Sequence, residues 1–248
     1  MQVALFYTCL VDAMRPSVGL ATIDLLEAAG CEVIVPEAQT CCGQPAWNSG
    51  EADIARKLAK QVIAVFEPHS HIVVPSGSCA DQIRNAYPRM FADEPEWQAR
   101  AEALAPRVFE LTRFLVEVLR VDAVPGRFEG TVTYHDSCSG LRGLGIRDEP
   151  RALLARVPGL RLVEAENAAD CCGFGGMFSI KFGEISAAIA QKKCEGACAT
   201  GAQAIVGGDV GCLLNIEGKL RRMGDASTRV LHVAEVLAGA DRVRKDLA

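Results

Sequence analysis

Short apolar runs alternate along this chain with longer stretches whose apolar positions recur at helical spacing. Val3 to Tyr7 is an apolar run that stops at Cys9. Residues 15–29 carry Leu20, Ile23, Leu25 and Leu26 along a helix, with Gly30 as its stop signal. Glu32 to Val35 reads as a short strand closed by Pro36, and residues 49–67 read as a helix through Ile54, Leu58, Val62 and Val65. Ile72 to Val74 is a buried strand ended by Pro75, and helices are expected near 79–91 and 96–120. The second half follows the same plan. Strands are expected at Thr131–Tyr134, Leu160–Val163, Ala204–Val206 and Arg229–Leu231, and helices at 149–157, 181–199, 213–223 and 232–239. The stretch from Val124 to Gly130, with Pro125 and Gly126, reads as the connection between halves.

Alternating strands and helices imply an α/β fold with parallel, helix-covered sheets. The expected architecture is two pseudo-symmetric Rossmann-like halves, one spanning 1–124 and the other 131–248. In such sheets ligand sites gather at the carboxyl ends of the strands. Cys9, Cys79, Cys138 and Cys212 all fall just past expected strand ends.

The cysteines sharpen this picture. Cys41-Cys42-Gly43 recurs as Cys171-Cys172-Gly173. Between Cys9 and Cys41 lie 31 residues, and between Cys138 and Cys171 lie 32. Cys79 and Cys212 follow the two triplets in matching frames. Chance would place about 0.05 such triplets in a chain of this composition, so the repeat marks an internal duplication. Each half therefore gathers four cysteines, enough to hold a metal or an iron–sulfur cluster. Four thiolates in one place repel strongly. Two unit charges about 4 Å apart cost about 4 kcal/mol at an effective dielectric near 20. Such a set must protonate, oxidise or bind cations. Adjacent cysteines reach two irons of a cluster more readily than one small tetrahedral ion, which tilts the choice from zinc towards iron–sulfur.

Composition narrows the partners. The net charge is −5 and aromatic residues make up 6% of the chain, which argues against nucleic acid. The residues after Met1 contain no basic leader, and no apolar stretch is long enough to span a bilayer, so a cytoplasmic protein is expected. In a reducing compartment 11 cysteines are not expected to serve as disulfide staples. No flavin or nicotinamide fingerprint is present.

These segments resemble the cysteine-rich CCG-domain family. They are Thr8-Cys9, Cys41-Cys42-Gly43-Gln44-Pro45-Ala46, Gly77-Ser78-Cys79, Asp93-Glu94-Pro95-Glu96-Trp97, Tyr134-His135 with Ser137-Cys138, Cys171-Cys172-Gly173-Phe174-Gly175-Gly176, Gly211-Cys212-Leu213-Leu214-Asn215 and His232-Val233-Ala234-Glu235-Val236-Leu237. More narrowly, the chain resembles the lactate utilization protein A group of that family. The resemblance implies an iron–sulfur subunit of a cytoplasmic complex that oxidises L-lactate to pyruvate. It also implies a partner with ferredoxin-type clusters and a third, smaller subunit. The expected cofactor is an iron–sulfur cluster of the 4Fe-4S type, up to two per chain, with zinc as the alternative. The expected ligands are Cys9, Cys41, Cys42, Cys79, Cys138, Cys171, Cys172 and Cys212.

The same domain occurs in the cluster-binding subunit of heterodisulfide reductases, where each repeat has five cysteines ending in a Cys-x-x-Cys pair. Here Ser76 and Asp209 stand where the first cysteine of that pair would be. That leaves one ligand per site missing or replaced by oxygen, and makes Ser76 and Asp209 candidates for an extra ligand or a substrate contact. Arg142 and Lys181, near cluster cysteines in sequence, are candidates for balancing the charge of a bound carboxylate. Arg15 shares that reading. Two rival functions remain at this point: a heterodisulfide-type thiol/disulfide redox subunit and a zinc-stabilised scaffold. Cys31, Cys194 and Cys198 are expected to be core residues, His135 and His232 structural histidines, and Glu149, Glu184, Lys192 and Lys193 solvated helix faces.

Overall fold

The computed structural model describes residues 1–239. The first half runs β1 (Gln2–Leu5), α1 (Cys9–Met14), α2 (Pro16–Ala28), β2 (Glu32–Ile34), α3 (Gln44–Asn48), α4 (Ala52–Phe66), β3 (Ile72–Val74), α5 (Gly77–Asp81), α6 (Tyr87–Met90), α7 (Pro95–Leu104), β4 (Val108–Glu110) and α8 (Leu111–Arg113). The second runs β5 (Gly130–His135), α9 (Asp148–Leu154), β6 (Leu160–Leu162), α10 (Phe178–Lys181), α11 (Gly183–Cys198), β7 (Ala204–Gly207), α12 (Val210–Arg222), β8 (Arg229–His232) and α13 (Val233–Ala238). Wide π-helical turns at Gln82–Ala86, Phe114–Val118 and Ser139–Gly143 extend or replace some of these helices.

Each half builds a four-stranded, all-parallel sheet, in the orders β2-β1-β3-β4 and β6-β5-β7-β8. The inner strands β3 and β7 are buried along their whole length, which is why they read as uninterrupted apolar runs rather than alternating ones. In both sheets the strand order reverses beside the first strand. The loops leaving β1 and β3, and those leaving β5 and β7, part there and open a crevice at the carboxyl edge.

Two of the expected helices form close to their expected bounds, and a third does not. The helix expected over 15–29 is α2, whose start is set by Pro16 at its first position, and the separate helix α1 ahead of it is an addition to the expected plan. The helix expected over 181–199 is α11, with the short helix α10 ending at Lys181 just before it. The helix expected over 96–120 is overturned. It stops at Leu104, ahead of Pro106, and Val108-Phe109-Glu110 pairs with β3 as the edge strand β4. A strand wins there because Val108 can be fully buried beside Ile72.

The two halves share one apolar core, and each keeps a further cluster of its own. A single apolar cluster contains Val3, Val18 and Leu26 from the first and Val132, Val206, Val236 and Leu237 from the second. Helix α13 packs on α2. Arg15 pairs with Glu217 at 3.2 Å and Arg113 with Glu149 at 2.9 Å, both across the boundary.

Candidate metal centre

The cysteines owe their positions to short strand-to-helix turns. Thr8 caps α1 by accepting a hydrogen bond from the Val11 amide, and Cys9 follows as the first helical residue. Ser76 caps α5 ahead of Cys79, and Asp209 caps α12 ahead of Cys212. Cys138 opens the π-helical turn after β5. The two Cys-Cys-Gly segments each need a left-handed third residue, with φ of +79° at Gly43 and +85° at Gly173. That turn aims backbone amides at sulfur. Gly43 N–H donates to Cys41 Sγ at 3.5 Å, Gly173 N–H to Cys171 Sγ at 3.3 Å, and Phe174 N–H to Cys172 Sγ at 3.5 Å. Tyr87 Oη donates to the Cys42 carbonyl and Asn215 Nδ2 to the Cys172 carbonyl, each at 2.8 Å, so the second cysteine of each pair is held from below.

All eight cysteines line one cavity of about 480 Å³ between the sheet edges. The burial pattern repeats: Cys42, Cys79, Cys172 and Cys212 are buried, while Cys9, Cys138 and Cys171 reach solvent. Cys9 Sγ lies 3.7 Å from Cys41 Sγ, and Cys42 Sγ lies 3.4 Å from Cys79 Sγ. At these separations the sulfurs compete for protons. Hydrogen bonds from Cys42 and Cys9 pull the Cys41 thiol down to about 3. Their own bonds to Cys41, together with burial, push Cys9 and Cys42 up. In the second half burial raises Cys138, and its bond to Cys172 raises Cys171. A bound cation would replace these protons and let the sulfurs ionise together. The donor set therefore fits a metal or an iron–sulfur cluster in each half.

The other candidates are placed differently from one another. Ser76 and Asp209 line the cavity but are bonded to each other across the halves, Ser76 Oγ to Asp209 Oδ2 at 3.2 Å. The same carboxylate accepts from Ser78 N–H at 2.9 Å and from Gly211 N–H at 3.2 Å. Arg142 sits on the rim beside Cys138, in an adjoining open cavity with Asp81 and Arg89. Lys181 is exposed at the end of α10 and is not part of the cavity wall, although Met177 and Ile180 of the same segment are. Arg15 is engaged by Glu217.

Some expectations fail. Glu149 is held by Arg113 rather than solvated. Lys193 is buried and donates to the Asn167 and Ala168 carbonyls at 2.6 and 2.7 Å. Cys31 and Cys194 are core residues, but Cys198 is exposed. His232 caps α13 in a capping box with Glu235. His135 is the residue sequence reasoning undervalued. It is buried at 1% exposure, and one of its ring nitrogens groups with Cys172 and Cys212 Sγ, all within 4.8 Å of one another. Burial pushes its ring down to about 3, so the imidazole is neutral.

Residues 3–84 and again 132–217 match the cysteine-rich domain of the CCG type. The chain belongs to the cysteine-rich domain family. Its two matched stretches each hold one set of four cysteines, so the family's domain is present twice. Over 237 residues the chain is 48% identical to a protein named lactate utilization protein A from Bacillus cytotoxicus, covering 96% of this chain and 98% of that one. A protein of the same name from a Geobacillus species is 47% identical, covering 96% and 99%. Among solved structures, a hypothetical protein from Helicobacter pylori superposes with a TM-score of 0.65 at 12% identity. That match covers 95% of this chain and 48% of the other, so this chain spans about half of it. This likeness is one of fold. Among the described residues, no helix is long and apolar enough to cross a membrane.

Proposed function

We propose that this member of the cysteine-rich domain family serves in lactate utilization, as the iron–sulfur subunit of a cytoplasmic complex that oxidises L-lactate to pyruvate. The observation that carries the reading is the single cavity lined by two complete sets of four cysteines. Relatives named for lactate utilization, similar over almost the whole chain, supply the substrate. Oxidation of lactate to pyruvate releases two electrons and two protons. A 4Fe-4S cluster in each half would accept electrons singly and pass them to a partner subunit with ferredoxin-type clusters, a third small subunit completing the complex. Cys9, Cys41, Cys42 and Cys79 would hold one cluster, and Cys138, Cys171, Cys172 and Cys212 the other. The chain's own contribution is to fix the sulfurs, donate amide hydrogen bonds to them and bury the inner pair of each set, which tunes a cluster's potential.

The test has two arms. Protein prepared strictly without oxygen is expected to contain iron and acid-labile sulfide, and stoichiometric zinc without sulfide would instead support a scaffold. The purified chain alone is expected to oxidise little lactate, with activity appearing when its partner subunits are added. Full lactate turnover by the isolated chain would overturn the electron-transfer role, and turnover of a disulfide substrate instead of lactate would point to a thiol reductase.

A further inference from the structure

The two halves repeat their cysteines but not what lies behind them. Three residues before Cys138 stands His135; three residues before Cys9 stands Phe6. Phe6 is fully buried and packs on Phe66 with ring centroids 5.3 Å apart. It lies in the same apolar cluster as Cys42 and Cys79. In the second half the neighbouring strand residue changes as well. His135 pairs with Gly207 in the β5–β7 register, and Gly207 occupies the frame held in the first half by Val74. A Cβ at Gly207 would press on Leu213 at 3.1 Å and would touch the imidazole at an ordinary contact distance of 3.7 Å, so the ring lies directly beside this glycine.

Among the described residues neither nitrogen of His135 has a hydrogen-bond partner within 3.5 Å, the Ala168 carbonyl being the backbone acceptor that acts on the ring. Buried polar groups are almost always paired, and an orphaned one calls for an explanation such as an absent ion. Here the explanation is at hand: a ring nitrogen and the sulfurs of Cys172 and Cys212 lie within 4.8 Å of one another. Imidazole is a good ligand for iron, and histidine replaces cysteine on one iron of some two-iron clusters. We propose that His135 is a nitrogen ligand of the second metal centre, so that the two centres of this chain differ in kind, one with phenylalanine at the matching position and one ligated by imidazole. The inference rests on the reading of the cysteine sets as iron–sulfur centres.

Pulsed electron paramagnetic resonance on anaerobically prepared protein tests it, with samples carrying either natural or nitrogen-15 histidine, in oxidised and reduced states. A strongly coupled nitrogen is expected that changes with the histidine isotope. It is expected to vanish in His135→Phe, which installs what the first half already carries, and in His135→Gln, while about half or more of the iron is retained. The isotope comparison needs no variant, so a folding defect in either substitution does not spoil the test. Clusters that show no histidine nitrogen, or a coupling that survives in His135→Phe, would overturn the inference alone. Protein without iron or sulfide would overturn the iron–sulfur reading of the cysteine sets, and the inference with it.

Discussion

Asp209 joins the two cysteine turns with one buried carboxylate. It caps α12 through Gly211 N–H and accepts from Ser78 N–H and Ser76 Oγ in the opposite half. Removing it leaves a helix start uncapped and strands buried donors at the boundary. Asp209→Ala is therefore expected to destabilise the metal-free protein by about 2–4 kcal/mol, and Ser76→Ala by about 1 kcal/mol. Urea unfolding of both variants checks this, and equal losses would mean that the cap, not the bond between halves, dominates. This residue also marks where sequence reading stops. The spacing of the cysteines made all eight candidate ligands legible, because a duplicated frame is a local pattern. It shows Asp209 only as a gap in a motif, since its partner lies 133 residues away. His135 was legible as a histidine near a cysteine, but its burial without a partner is a property of the folded chain.

Strands β3 and β7 were readable because parallel, two-face-buried strands are continuous apolar runs, and the half-exposed β2 and β6 because short apolar stretches there lie between turn residues. The exception, β4, hides inside a stretch with helical composition on both sides. Pro106 and the matching Arg229–His232 strand of the second half were the available signals. The helix after β4 begins at Glu110, whose Oε2 accepts from the amides of Thr112 and Arg113 and from the Thr112 hydroxyl. Glu110 is buried, and burial pushes its carboxyl up to about 7 against the pull of those hydrogen bonds. Between the ordinary carboxylate range and about 7, the folded state thus keeps a proton that the unfolded chain has lost. The resulting stability is complete at low pH and is lost as pH rises through that window. Glu110→Gln cannot titrate. Relative to the parent, its stability is expected to rise by on the order of 3 kcal/mol between pH 4.5 and 7.5. Urea midpoints measured across that range check it, and parallel curves would show that Glu110 is already ionised in the fold.

At the scale of the molecule, the duplication yields two similar sheets, each with a cluster of its own, joined by a third cluster that both halves build. Val18 and Leu26 of α2 and Val236 and Leu237 of α13 lie in one cluster, and all four are fully buried. Each such side chain contributes about 1.5–3 kcal/mol by leaving water, so separating the halves would forfeit a sum comparable to the whole stability of an ordinary domain. The Arg15–Glu217 and Arg113–Glu149 pairs would lose their partners too. The cysteine cavity draws its walls from both halves and would open to solvent. Residues 1–124 and 131–248 produced separately are therefore each expected to lack a cooperative urea transition. Mixed in equal amounts, they are expected to recover one, because α13 again finds α2. Circular dichroism across a denaturant series reads both results. A sharp transition in either fragment alone would show that the halves are independent domains, and that the shared cluster is contact between finished parts rather than a common core.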